Sequence, residues 1–354
     1  MKSLRFASAP WLLCLWLFLL LPAQAAARVV HDMSGAPVEV PARIERVVTL
    51  GATPVLNSLV FAVGGGRHIV NGLPEFARQP RWNYQYLFAP QLAGRPSLAN
   101  VDRTPNLEAL LAAAPDLILT MDRSSAQTLR RVGLPAFQLS WAEPDEVKTA
   151  ITLLGELFGN PAAARRYGTR FDGTVGEVER LLRQAQPARP RVLYFNPRTL
   201  SRPHPIADWW IEAAGGTSIS AGLPGNGAFN LETLLAWDPD ILIVSSPAEA
   251  ASVLADPRFA RLKAVRARRV LATPCGAHIW GNRSAEQPLA VLWAAKQFHP
   301  QVFAGIDLVE RTQSFYRDLF GVPLSRAQVA EILAGGPSGR DSGIRFPPLQ
   351  GHSP

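Results

Sequence analysis

Between Asn160 and Gln186 the apolar positions Tyr167, Phe171, Val175, Val178, Leu181 and Leu182 recur at helical spacing among Arg and Glu. Asn160-Pro161 opens the stretch, since an Asn side chain can accept an orphan N–H and proline has no N–H to leave unpaired. Pro187 and Pro190 forbid continuation. The pattern predicts one backbone helix over 161–186, about seven turns and roughly 40 Å long. A helix of that length is a stiff rod joining two halves of the chain.

On both sides of the rod, short buried-strand runs alternate with helical ones. The first half gives a strand at Arg46–Leu50, a helix carrying Leu56, Leu59, Val60 and Val63, and a further strand at His68–Val70. An irregular segment with Trp82, Tyr84, Tyr86 and Phe88 follows. Asn106–Ala114 then reads as a capped helix, Asp116–Thr120 as a strand, Ser124–Val132 as a helix, Ala136–Leu139 as a strand and Asp145–Phe158 as a helix. After the rod, strands are expected at Arg191–Phe195, Ile241–Val244 and Arg269–Ala272. Helices are expected at Ala207–Ala214, Ala248–Leu254, Ser284–Phe298 and Asp307–Leu333. Strands alternating with helices predict an α/β fold: two doubly wound lobes with mainly parallel sheets, joined by one long α-helix. The boundaries expected are lobe one over 28–145, a helical linker region over 146–187, and lobe two over 188–334. From Gly335 the composition turns to Gly, Pro and Ser, and a disordered tail over 335–354 is expected.

The N-terminus changes the picture of location. Lys2 and Arg5, the apolar run Trp11–Leu21 and Ala23-Gln24-Ala25 form the three regions of a secretory signal, so residues 1–25 are expected to be removed near Ala25. The run is short for a retained span. Cys14 lies inside it, without the small residue expected just before a lipid-modified cysteine. Cleavage would leave Cys275 alone, with no intrachain disulfide and no cysteine metal cluster. The formal charge of +8 falls by two, to +6, when Lys2 and Arg5 are removed, and the remaining positive charge is nearly all arginine. A basic exported protein is suited to anionic ligands or an anionic membrane surface. The basic residues are dispersed, so no nucleic-acid partner is expected. No Gly-x-Ser-x-Gly elbow, His-Glu-x-x-His or Rossmann glycine pattern points to an enzyme, and Gly64-Gly65-Gly66 reads as a helix cap rather than a phosphate cradle.

One internal match is sharper than the alternation. Asn106-Leu107-Glu108-Ala109-Leu110-Leu111 with Pro115-Asp116-Leu117-Ile118-Leu119 recurs as Asn230-Leu231-Glu232-Thr233-Leu234-Leu235 with Pro239-Asp240-Ile241-Leu242-Ile243. The offset is 124 positions (108 to 232, 116 to 240). Two related lobes flanking one helix follow. With Arg46-Val47-Val48, Ala213-Ala214-Gly215-Gly216, Trp280 to Glu286 leading into Leu292-Trp293-Ala294-Ala295-Lys296, and Phe315-Tyr316 with Leu324, the chain resembles a periplasmic substrate-binding protein of an ABC importer. The group it resembles handles ferric siderophores, haem and cobalamin.

That resemblance implies a ligand in the cleft between the lobes, and one glutamate per lobe, Glu108 and Glu232, docking on arginines of an inner-membrane permease dimer. Each glutamate also sits in a first helical turn, where a negative charge favours the macrodipole. The protein is expected to be a monomer with no resident cofactor. Ligands in open α/β sheets contact loops beyond the carboxyl ends of strands. In lobe one those loops hold Thr53, Arg123 and Trp141, with Trp82, Tyr84 and Tyr86 from the irregular segment. In lobe two they hold Arg198, His204, Ser245, His278, Trp280 and Arg283. Trp209, Trp210 and Trp293 lie in helical patterns and are expected in the core. Arginine and aromatic faces suit a ferric siderophore, the cargo expected first. The alternatives are haem, with Tyr84, Tyr86 or His278 as axial ligand; cobalamin; molybdate or another oxyanion; and a metal ion on His204 and His278.

Overall fold

The computed structural model describes residues 27–337 apart from Asn226, so the expected signal peptide and most of the expected tail lie outside the described residues. A hairpin of β1 (Arg28–His31) and β2 (Pro37–Val40) opens the described chain. The sequence pattern had shown only a polar entry there. Asp32, just after β1, is buried and tied to its surroundings by Ser34, Ala36, the Gln138 N–H and an ion pair with Arg130.

Lobe one is built on the parallel sheet β3 (Val47–Leu50), β4 (Leu117–Thr120) and β5 (Ala136–Gln138), in that spatial order. Its helices are α1 (Thr53–Ala62), the short α2 (Tyr84–Phe88), α3 (Leu107–Ala113), α4 (Arg123–Arg131) and α5 (Pro144–Leu157). The strand expected at His68–Val70 is reduced to a single parallel bridge, Ile69 to Val47. The rod, α6, spans Pro161–Ala185. The Asn160 side chain caps it by accepting from Ala163 N, and Gln186 closes it in the left-handed region.

Lobe two holds β6 (Arg191–Tyr194), α7 (Ile206–Ala213), β7 (Thr217–Ser218), α8 (Leu231–Trp237), β8 (Ile241–Val244), α9 (Pro247–Ala255), α10 (Lys263–Arg266) and β9 (Val270–Ala272). The sheet order is β7-β6-β8-β9, all parallel, with β7 added on one side of β6 and β8 on the other, so the winding order reverses between β6 and β8. α11 (Gln287–Phe298) follows. The single helix expected over Asp307–Leu333 is broken into α12 (Leu308–Phe315), a π-helical turn (Tyr316–Phe320) and α13 (Arg326–Leu333). Gly321 takes φ +72, a conformation glycine adopts without Cβ strain, and Pro323 follows, so the interruption has a local cause.

The repeat has a physical meaning in the fold. Asn106 and Asn230 each accept from the N–H three residues on, at 3.0 and 2.8 Å, and start α3 and α8. Both helices end on a residue with positive φ, Ala114 and Asp238. The aspartates of the two Pro-Asp pairs then pin the start of the neighbouring strand. Asp116 Oδ2 accepts from Arg46 N at 2.9 Å, ahead of β3, and Asp240 Oδ2 accepts from Arg191 N at 2.8 Å, at the head of β6. Each motif therefore sets helix, turn and strand register in its own lobe.

The rod touches both lobes. Lys148 of α5 pairs with Asp172 at 2.7 Å, Phe171 stacks on Trp209, and Arg311 of α12 pairs with Glu177 at 2.9 Å. A second connection runs through the core, where one continuous apolar cluster includes Phe61 and Phe88 of lobe one and Tyr316, Phe320 and Ile332 from the C-terminal segment. Phe88 stacks on Tyr316 at 5.0 Å, and Phe61 meets Phe320 edge-on at 5.7 Å. With a capped helix and shared packing both resisting hinge motion, cargo is expected to produce only a small closure. X-ray scattering profiles of the empty and loaded protein should nearly superimpose; a large fall in radius of gyration on loading would refute this.

Candidate functional site

Residues from the loops of lobe one meet residues beyond the strand ends of lobe two, Arg81 at Ser245, Trp82 at His278 and Trp141 at Arg283. On the lobe-two side the reversal between β6 and β8 leaves a crevice, and Tyr194 at the end of β6 and Ser245 just beyond β8 meet there, hydroxyl to hydroxyl at 3.1 Å. Tyr194 also donates to Asn282 Oδ1 at 2.9 Å. Arg81 of lobe one reaches across and donates to the Ser245 carbonyl at 2.6 Å. Its Nε is buried without a hydrogen-bond partner among the described residues. Trp82, on the 3-10 turn Pro80–Trp82, lies beside Arg81 and places its ring 5.1 Å from that of His278. Arg283 lies over Trp141, which follows β5, with its guanidinium carbon 5.6 Å from the ring centroid.

His204 is carried by the Pro-rich loop after β6, and that loop is held by Arg202. The Arg202 guanidinium pairs with Asp208 and donates to the carbonyls of Ser220 and Leu223. Ser218 and Ser220 satisfy the remaining Asp208 oxygen. His204 Nδ1 accepts from Ile206 N at 3.1 Å, so a neutral ring carries its proton on Nε2 as a donor. His278 Nδ1 faces the Ile279 carbonyl at 3.2 Å, which assigns the proton to Nδ1 and the lone pair to Nε2.

Electrostatics give this cluster its character. Burial is the main cause that lowers both imidazoles, His204 and His278, to about 3, and arginines add to it: Arg283 and Arg202 act on His204, Arg81 and Arg283 on His278. Both rings are neutral at ordinary pH. Burial also depresses Arg283, a sign that its cation is held partly out of water. It stacks on Trp141 and, among the described residues, has no carboxylate partner in an ion pair. An entering anion would offset the positive charge that opposes protonation of both imidazoles and would pair the two arginines.

The structure thus gathers Trp82, His278 and Arg283 of the expected ligand residues, together with Trp141, His204 and Ser245 from the same strand-end loops. Trp280 is fully buried behind the His278 loop. Tyr84 is also fully buried, and its hydroxyl donates to Glu331 at 2.7 Å and to the Gln328 carbonyl, on α13 rather than among the cleft residues. Tyr86 is half-buried against the core, with its phenol raised by burial. Arg123 starts α4 and Arg198 sits in the turn after β6; both are exposed and not joined to the cluster. Arg81, Tyr194 and Asn282 were not anticipated, although Arg81 adjoins Trp82 in sequence. Trp210 and Trp293 are core, as their helical spacing predicts, and Trp210 donates to the Gly281 carbonyl. Glu108 and Glu232 are exposed in the first turns of α3 and α8.

Two parallel α/β lobes joined by one long helix, with arginine, imidazole and aromatic side chains gathered at their strand ends, define a helix-linked two-lobed architecture. The chain belongs to the periplasmic binding protein family, whose model matches residues 61–275. It is 23% identical over 330 residues to the molybdate-binding protein MolA of Haemophilus influenzae, covering 83% of this chain and 91% of that protein. MolA bound to molybdate has the same fold, with a TM-score of 0.72 over 84% of this chain and 99% of that one, at 22% identity. A periplasmic solute-binding protein of Veillonella parvula gives 0.74 over 87% and 97%, at 24% identity. CeuE of Helicobacter pylori, solved with nickel and histidine, gives 0.71 over 85% and 98%, at 17% identity.

Proposed function

We propose that this protein is the solute-binding component of an ABC importer and that its cargo is an anion held between Arg81 and Arg283, a small oxyanion of the molybdate kind. The observation that carries this reading is the arginine pair: Arg283, held partly out of water, stacks on Trp141, and Arg81 reaches the Ser245 carbonyl with its Nε buried and without a hydrogen-bond partner among the described residues. An oxyanion would accept from guanidinium N–H groups and from the Nε2–H of His204, donors held partly out of water. Among the described residues, no group of three or more His, Cys, Asp and Glu side chains is gathered to hold a bare metal ion. The molybdate bound by MolA supports the same class of cargo.

A second reading, a ferric siderophore, is favoured by a cavity of about 470 Å³ at the carboxyl edge of the lobe-one sheet, lined by Thr53, Phe76, Arg78, Asn100 and Arg103. Arg103 lies 4.6 Å over the Phe76 ring, giving an aromatic and cationic wall for a larger anionic chelate. Calorimetric titration with molybdate, tungstate, sulfate, a ferric siderophore panel, haem and cobalamin separates the readings. Tight molybdate binding with weak sulfate binding is expected; siderophore binding with none of molybdate would replace the first reading by the second.

A further inference from the structure

Behind the His278 loop lies a carboxylate that the cleft itself does not expose. Glu286 is fully buried just ahead of α11. It accepts from Ala277 N at 2.7 Å, from His278 N at 3.0 Å and from the Tyr316 hydroxyl at 2.5 Å. The loop around it is tight. Cys275 and Ile279 form a bridge, Gly276 N donates to the His278 carbonyl, and Trp280 N donates to the Pro274 carbonyl. Two successive backbone N–H groups therefore converge on one internal anion, in the manner of a nest. Gly276 is required at this approach, since a Cβ there would fall 1.8 Å from Tyr316 Oη and 2.4 Å from Glu286 Oε1. On the cleft side of the same loop, the His278 ring rests on Trp82.

We infer that Glu286 is a positioning residue for the cleft: its ionised carboxylate fixes the Cys275–Trp280 loop so that His278 packs against Trp82 and steadies the adjoining Arg81, and loss of the ionised form loosens the loop and weakens cargo binding. A carboxylate accepts all three donors at once. Protonated, it loses the negative charge that strengthens its bonds to the two backbone N–H groups and carries a hydrogen of its own that takes up part of its acceptor capacity. The titratable groups facing it are Tyr316 from the π-helical turn, Tyr167 from α6, and Cys275 and His278 from the loop. Burial holds both phenols well above their usual range and the Cys275 thiol at about 11, while His278 lies at about 3, so none of them changes form near neutrality. Burial pushes Glu286 up to about 7. Cargo affinity therefore falls as pH drops through about 7. The stability contribution of the same group runs the other way. A carboxyl whose folded pKa lies above its unfolded value binds its proton more tightly when folded, so its contribution rises as pH falls from about 7 towards 4.5. A purely structural role would give the second slope alone.

The test compares wild type, Glu286→Gln and Tyr316→Phe by amide hydrogen exchange over residues 274–281 and by molybdate titration, both between pH 6 and 8, with exchange corrected for its intrinsic pH dependence. In wild type, loop protection and molybdate affinity should fall together severalfold from pH 8 to pH 6. Glu286→Gln should be flat at the low-pH level, and Tyr316→Phe, which removes a hydrogen bond favouring the ionised form, should move the inflection to higher pH. The affinity measurement rests on the anion reading, whereas exchange needs no cargo. An exchange inflection without molybdate binding would sink the anion reading and leave Glu286 as the loop clamp. Flat wild-type exchange, an inflection retained in Glu286→Gln, or moving exchange with constant molybdate affinity would each overturn the assignment.

Discussion

Replacing Arg81 and Arg283 together by alanine is expected to abolish measurable oxyanion binding while leaving the fold intact. Each guanidinium would make charge-assisted hydrogen bonds to the bound anion, worth about 1.5–3 kcal/mol, so each single replacement should weaken binding roughly ten- to a hundredfold. The two act on one ligand and their losses need not add. Their effects on the empty protein should differ. Arg283 is depressed by burial and has no carboxylate partner among the described residues, so its removal relieves a desolvated charge, and the melting temperature of Arg283→Ala should stay level or rise. Arg81→Ala also breaks the hydrogen bond to the Ser245 carbonyl across the cleft and should lower stability modestly. Titration with molybdate and thermal unfolding of the two single variants and the double variant decide the matter. Unchanged affinity in the double variant would remove both arginines from the site.

Replacing Glu108 and Glu232 by alanine should have the opposite profile, with transport lost and cargo affinity kept. Both carboxylates are exposed in the first turns of corresponding helices, one on each lobe, and neither belongs to the arginine cluster of the cleft. On the permease these two points would meet arginines, each contact contributing about 1.5–3 kcal/mol. Within the isolated protein the same glutamates favour their helix dipoles by about 0.3–1 kcal/mol each, so the melting temperature should fall only slightly. Cargo uptake by whole cells, or transporter-stimulated ATP hydrolysis, measured beside the cargo dissociation constant, separates the tasks. Normal transport by the double variant would reduce both residues to helix stabilisers.

The parts of the fold that were legible in the sequence are those with a local cause. The rod was marked by its periodicity, by Asn160-Pro161 and by the prolines after it. The repeat was visible because Asn106 and Asn230, and Asp116 and Asp240, perform the same hydrogen-bonding task in each lobe. The break at Gly321 had its signal in Gly-Val-Pro, overridden by the helical spacing on either side. The hairpin β1–β2 was missed because four-residue strands leave too short an alternation to read. For the cleft, the strand-end rule named the loops, and arginine and aromatic content suggested the chemistry. That rule could not tell a tyrosine lining a cleft from one buried beneath it. Tyr84 finds its partner 247 positions away on Glu331, and no spacing records such a pairing. Arg81 stayed hidden for the converse reason, since its importance comes from Ser245 across the cleft, 164 positions on.

The C-terminal segment that completes the shared core has a consequence for biogenesis. Phe61 and Phe88 of lobe one are covered by Tyr316 and Phe320, and Tyr84 is tied to α13, so the first lobe cannot finish folding until the end of the chain has been delivered. Native contacts separated by more than 200 residues close late and leave apolar surface open in the meantime. A chain threaded across a membrane from its N-terminus would therefore emerge with lobe one unsealed. The segment from Tyr316 to Leu333 would then seal lobe one in a single late step, converting an aggregation-prone intermediate into the finished protein.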